Sequence, residues 1–225
     1  MSTQVRKTKD IEIHVQGDTV YGFFYRGTIS NFYRESFEMS DALLDELAFK
    51  ANTEEERDQL FVLERIFNSI RALDPNKVVT FTCGEQFIMA CKAMLCNDSV
   101  VYNEIMTPYL KSYEYKGLGR KVSNFKAHEV EWNSLRPIVS AYIIHARMNK
   151  PGSKLAAAMS VINEYWNSET PTLVMVETSP TDKIWGVGLD EAQCAAKLQY
   201  EGNDKFNHFV GTRVFTLGFD LALRG

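Results

Sequence analysis

The chain has 225 residues, 45% of them hydrophobic and 24% charged, and a net charge of −4. This is an ordinary globular composition, able to bury a sizeable core in one domain. No apolar run reaches the ~20 residues a bilayer span needs, and the polar N-terminal MSTQVRKTKD has no signal-peptide stretch, so a cytoplasmic location is expected, with the nucleus possible.

The four cysteines, Cys83, Cys91, Cys96 and Cys194, form no CxxC pair and have no histidine at zinc-ligand spacing. They are expected to be reduced, buried thiols, with no metal and no cofactor implied. The charge is unevenly distributed. Residues 1–104 carry a net −6, residues 105–154 a net +6 and residues 155–225 a net −4. A basic segment inside an acidic chain suits a phosphate-bearing ligand.

In chain order, IEIHVQG alternates Ile11, Ile13 and Val15 against Glu12, His14 and Gln16, the period of a half-buried strand. Gly17-Asp18 predicts a turn into a hairpin partner, TVYGFFYRG. TISNFYRESF predicts an ordered loop. Residues 40–75 read as helical, with Thr53 and Glu56 forming a capping box ahead of a Leu60, Leu63, Ile66, Phe67, Ile70 stripe. This acidic region is expected to be a structural helical insertion.

KVVTFT (77–82) predicts a short strand, GEQFIMACKAMLC (84–96) a strong helix, and SVVYNEIM further helix. YKGLGRKVSNF (115–125) predicts a basic, glycine-marked loop. Residues 129–148 predict a helix kinked or started at Pro137. Pro151-Gly152 breaks the chain before the helix SKLAAAMSVINEYW. PTLVMVETS (171–179) contains a β-rich run, and residues 213–224 a closing helix with Gly218 at a close contact. Few strands among many helices do not give βαβ alternation. The expected fold is α+β: a single domain over 1–225, predominantly helical with a small sheet.

Four stretches could carry chemistry. TSPTDKIWGVGLDE (178–191) sets Asp182, Trp185, Gly186 and Gly188 directly after an apolar strand. Its G-x-G-x-x-E spacing ends on Glu191, where a dinucleotide fingerprint needs Gly or Ala. On the 84–96 helix, Glu85 and Lys92 are nearly two turns apart, ~10 Å along one face, with Met89 between them. That helix is otherwise apolar all round and therefore buried. An acid and an amine in it are costly unless paired or used. In KGLGRKV, Lys116, Arg120 and Lys121 supply charge, and glycines let the backbone approach an anion. In ISNFYRESF, Ser30 and Asn31 can bond a ligand hydroxyl or base edge, and Phe32 and Tyr33 can stack on a base.

In this order, SNFY, GEQFIMACKA, KGLGRKV with a following Trp132 and Arg136, VETSPTDKIWGVGL and the terminal LGFDLALR resemble the NADAR (YbiA-like) family over roughly residues 21–224. Two departures stand out. Residues 40–75 lengthen the path from SNFY to the EQ helix. The usual Trp-x-Gly-x-Asn-x-Leu-Gly run is degraded, with Gly202-Asn203 far ahead of Leu217-Gly218 and Phe215 at the Asn position.

The resemblance implies an α+β fold with one ligand pocket and an N-glycosidase acting on ribosylated compounds. Such enzymes remove ADP-ribose from guanine bases of nucleic acid or cleave ribosylaminopyrimidine intermediates of riboflavin synthesis. A non-catalytic ADP-ribose-binding module is a third possibility, against which the presence of both Glu85 and Lys92 argues. The resemblance also points to Glu85, Lys92, Asp182 and Trp185 as functional positions, with Asn31, Gly119 and Arg120 lining the ligand. Lys92 matches the lysine expected to form a Schiff base with ribose. Glu85 would then be general acid/base, and Asp182 would orient the lysine or bind ribose hydroxyls. Trp185 would stack on the base or pack the ribose, with Gly186 and Gly188 admitting the backbone. Lys116 and Arg120 would hold the pyrophosphate. The basic middle segment favours ADP-ribosylated nucleic acid as the substrate.

Overall fold

The computed structural model describes residues 3–108, 110–166, 172–201, 206 and 208–224. Gly202-Asn203 lies outside them. Strands β1 (Thr3–Lys7), β2 (Glu12–Gln16), β3 (Thr19–Phe24) and β6 (Thr172–Glu177) form a sheet in the order β1-β2-β3-β6. β2 and β3 are the expected hairpin, turning at Gly17 with its φ of +56°. β6 joins β3 in parallel, pairing Thr19 with Thr172 and Phe24 with Glu177. A two-residue ladder pairs β4 (Phe37–Glu38) with β5 (Thr80–Phe81), less than the strand predicted over 77–82.

The β2 alternation does not leave one face in water, since Glu12 and His14 are buried along with Ile13. The reason is α8 (Glu191–Glu201), a helix that no pattern above singles out. It covers the second face of the sheet, where Cys194 and Leu198 pack with Tyr21, Phe23, Val174 and Val176. Glu12 survives burial by accepting from Lys7 at 2.6 Å and pairing with His14 at 2.7 Å.

The other face meets the main core. The region 40–75 forms α1 (Asp41–Lys50) and α2 (Glu54–Leu73), and the Thr53 capping box is present as predicted. Leu60, Leu63, Ile66, Phe67 and Ile70 are all buried. Phe67 meets Tyr142 edge-on at 5.0 Å, and Phe87 stacks on Tyr142 at 5.1 Å. Each such pair adds about 0.5–1.5 kcal/mol beyond its burial. α2 is therefore part of the central packing.

α3 (Gly84–Leu95) runs through this core, followed by α4 (Ser99–Ile105), which Asp98 caps. α6 (Phe125–Met148) continues through Pro137. α7 (Lys154–Asn163) starts at its Ser153 cap. α9 (Val210–Leu223) lies on α6 and β6, and at Gly218 an added Cβ would sit 2.7 Å from the Ser140 hydroxyl. All four cysteines are free and buried.

The predicted glycine loop at 115–125 is corrected. Residues Ser112–Gly119 form a helix, α5, and only the stretch after it is irregular. Its glycine serves contact: a Cβ on Gly119 would sit 1.8 Å from the Met89 sulfur. Gly119 lets α5 lie directly on α3.

No helix among the described residues is long and apolar enough to cross a membrane.

Candidate active site

The parallel pairing of β3 and β6 brings two loops out at one end of the sheet. Thr178 ties them, its amide donating to the Phe24 carbonyl at 2.8 Å. The loop after β3 carries Ser30 and Asn31, both buried. The Glu85 amide donates to the Asn31 carbonyl at 3.0 Å and so docks the start of α3 against this loop. Arg147 of α6, 0% exposed, braces the loop from below. It donates to Glu35 at 3.2 Å, to the Ser30 carbonyl at 3.4 Å and to the Thr28 carbonyl. Glu35 also accepts from the Lys154 amide at 2.9 Å.

The loop after β6 is wound around Asp182. Its carboxylate accepts the amides of Ile184 at 2.8 Å and Trp185 at 3.0 Å. Its other oxygen accepts the Lys116 amine of α5 at 2.6 Å. A Cβ on Gly186 would approach the Asp182 carbonyl to 2.8 Å, so the turn closes only with glycine there. Gly188 has a φ of +71°.

Three carboxyl groups converge here, from α3, β6 and this loop. Glu85 is 1% exposed, and one of its oxygens is buried without a hydrogen-bond partner. Burial pushes its carboxyl up to about 8; Lys116 and Arg120 oppose this, while Glu177 and Asp182 add to it. Burial also lifts Glu177 to about 7, with Asp182 adding and Lys116 and the Ser30 hydroxyl opposing. Burial would raise Asp182 as well, but Lys116 and the two amides outweigh it and hold Asp182 below the usual carboxylate range. The cluster thus separates two easily protonated carboxyls from one firmly ionised partner, an arrangement suited to acid/base work.

A cavity of about 810 Å³ opens over this cluster. Glu177, Ser179 and Asp182 line one side, and Lys116, Arg120 and Phe32 another. Arg26, Arg34 and Lys111, with Tyr25 and Tyr113, complete the wall. A separate groove of about 680 Å³ between α2, α6 and α9 is lined by Glu55, Glu56 and Glu129, none of them buried.

Of the residues singled out in the sequence, Phe32, Lys116, Arg120 and Asp182 line the cavity. Ser30, Asn31 and Glu85 lie buried behind it, Ser30 donating to Glu177 at 3.4 Å. Lys92 is not brought together with Glu85. Its amine donates to the Gly119 carbonyl at 2.7 Å and sits 3.7 Å from the centre of the Phe125 ring. Burial holds its pKa below the ordinary lysine value, and the groups that act on it are Cys96, Arg136 and Glu129, with Glu85 not among them. A shared face on α3 does not imply a shared cavity, because α5 lies across the helix between the two side chains and takes the lysine as a cation on its own C-terminus.

Gly119 is likewise the α3–α5 contact, and Trp132 is a core side chain, neither lining the cavity. Trp185 is buried edge-on against Phe215 at 5.7 Å, with the Arg136 guanidinium 5.9 Å from its ring centre. It is a wall behind the Asp182 loop and offers no open stacking face. Gly186 and Gly188 shape that loop. Sequence reasoning missed Glu177, Arg26, Arg34 and Lys111. Only Glu177 left a signal, a charge ending an apolar strand immediately before the Asp182 loop. Among the described residues, no group of three His, Cys, Asp or Glu side chains suits a metal ion.

The NADAR domain model matches residues 23–206, which include every cavity residue named above. The chain is 32% identical over 130 residues to Protein irg-1 of Caenorhabditis elegans, covering 57% of each protein. It is 31% identical over 122 residues to N-glycosidase R617 of Acanthamoeba polyphaga mimivirus, covering 54% of this chain and 64% of the viral protein. The match therefore spans less than two thirds of either relative. With most of its length, and the whole of its carboxyl-lined cavity, inside the matched region, the chain belongs to the NADAR domain family.

Proposed function

We propose that the protein is an N-glycosidase that hydrolyses the bond between a ribose C1′ and a base nitrogen, removing ADP-ribose from guanine bases of nucleic acid. The observation that carries this is the juxtaposition, in one cavity, of an easily protonated carboxyl, Glu177, backed by buried Glu85, with an excess of cations. Glycosidic cleavage needs the first. A substrate with phosphates needs the second. The viral relative, named an N-glycosidase, supports the reaction class.

The catalytic amine is Lys116 in this scheme, in place of Lys92. Ionised Glu177 takes a proton from the Lys116 ammonium, which Asp182 orients. The free amine attacks C1′. The C1′–N bond breaks, its electron pair goes to the base nitrogen, and that nitrogen takes the proton from Glu177. The secondary ammonium formed on Lys116 passes one proton to O4′, and the lone pair so freed expels O4′ as a hydroxyl and opens the sugar ring to give a protonated imine. Water adds at C1′ and the amine departs, releasing the sugar. Glu85, neutral below about 8, keeps a third negative charge out of the cluster. A group titrating near 7, as Glu177 does, can serve as base and then acid at neutral pH.

Incubation with an ADP-ribosylated guanosine oligonucleotide is expected to release free ADP-ribose. Borohydride added during turnover is expected to trap an ADP-ribose adduct on Lys116. An adduct on Lys92 would move the nucleophile to α3, and a fully active Lys116→Ala enzyme would end the imine scheme. Binding without release would make the protein a reader. Activity confined to ribosylaminopyrimidines would replace the substrate.

A further inference from the structure

The rim of the cavity holds an arginine whose backbone is strained and whose side chain is unengaged. Arg26 has a φ of 52°, in the left-handed region that a residue with a Cβ enters at a steric cost. The surrounding contacts hold it there. Gly27 packs so closely on Asp10 that a Cβ would lie 2.9 Å from its carboxylate oxygen. The same oxygen accepts the Thr28 amide at 2.9 Å and the Thr28 hydroxyl at 2.7 Å. The loop is therefore clamped on one side of Arg26 by Asp10, and on the other Tyr25 follows directly from β3.

What the strain delivers is the direction of one guanidinium. Arg26 is exposed, makes no ion pair or hydrogen bond among the described residues, and rests only against the ring of Tyr25, 4.9 Å from its centre. It lines the same cavity as Lys116, Glu177 and Asp182. The inner amine is already matched, Lys116 to Asp182. Arg34 donates to the Leu110 carbonyl. Arg26 is thus a cation held over the cavity with its donors free, and a planar guanidinium binds phosphate oxygens in pairs. Strain of this kind persists at sites where the side chain it aims has a use.

We propose that Arg26 is a specificity-determining residue that grips a phosphate of the substrate lying beyond the sugar being cleaved. This rests on the N-glycosidase assignment above and extends it. The reacting sugar sits over Glu177 and Lys116, and the diphosphate reaches outward to the rim, where Arg26 selects substrates with such an extension over those that end at the sugar.

The test is calorimetric titration of the wild type, Arg26→Gly and Arg26→Lys with ADP-ribose and, separately, inorganic pyrophosphate, alongside thermal melting. Glycine removes the guanidinium and also relieves the left-handed backbone. Arg26→Gly is therefore expected to bind both probes about tenfold more weakly while melting at or above the wild-type temperature, and Arg26→Lys to recover part of the loss. Unchanged affinity in Arg26→Gly overturns the inference, as does weaker binding accompanied by lower melting, which would make Arg26 part of the scaffold. A wild type that binds pyrophosphate through Arg26 but not ADP-ribose sustains the inference and sinks the proposed substrate. A wild type that binds neither probe overturns the inference, and the oligonucleotide assay then judges the assignment separately.

Discussion

Glu85, together with Glu177, ties the stability of the fold to pH. Its carboxyl is raised from 4.5 to about 8 by burial, so the folded state prefers the protonated form. A raised carboxyl contributes stability below the unfolded value, and that contribution is lost as pH climbs from about 4.5 through about 8. Glu85→Gln mimics the neutral acid at every pH. It is expected to flatten the fall in melting temperature between pH 5 and pH 9, and an unaltered slope would show that burial does not govern this group. At this scale the sequence was half legible. Glu85 stood out because a helix apolar on every side cannot hold a carboxylate cheaply. The direction of Lys92 could not be read, because it depends on which backbone crosses α3, and that is set by the packing of α5.

The α3–α5 crossing is the element on which the cavity depends, since α5 carries Lys116 at one turn and meets Met89 at the next. Gly119→Ala would force its Cβ into the Met89 side chain. The expected cost is about 1–3 kcal/mol in chemical denaturation, and Met89→Ala in the same chain is expected to recover part of it. If the double variant is no more stable than the single, the two residues are not the contact that matters. Loss of Lys92 should loosen the same helix, because its amine holds the last carbonyl of α5. Local sequence patterns gave the capped helix at 54–73 and the β2–β3 hairpin, whose signals lie within a few residues of one another. They failed for α5 because glycines that permit close helix contact look the same in a string as glycines that permit a turn. They passed over α8 because its task, covering the back of the sheet, is visible only once the strands are assembled.

For the molecule as a whole, Arg147 joins α6, the β3 loop and the start of α7 through one buried cation. Arg147→Met leaves Glu35 charged and buried, and is expected to cost about 3–5 kcal/mol of stability. Glu35→Gln as well should restore only part of that, since the Thr28 carbonyl loses its donor and the Ser30 carbonyl keeps only the Tyr33 amide. Full recovery would reduce the role of Arg147 to its ion pair. The uneven charge along the chain was a partial guide to the site. The basic middle segment supplies Lys111, Lys116 and Arg120, but Arg26 and Arg34 come from the acidic first part, and no count along the chain could assign them to the same wall.

The parallel pairing of β3 with β6 has a consequence for how the molecule is made. These neighbours are separated in sequence by α1–α7, so the ladder between them closes a very long loop, and such distant pairings form late. Ser30 and Glu85 are synthesised early, yet the strand that brings Glu177 and Asp182 to them leaves the ribosome after all of those helices. The carboxyl cluster is therefore expected to assemble near the end of folding, so a nascent chain is expected to be extensively helical before that cluster exists.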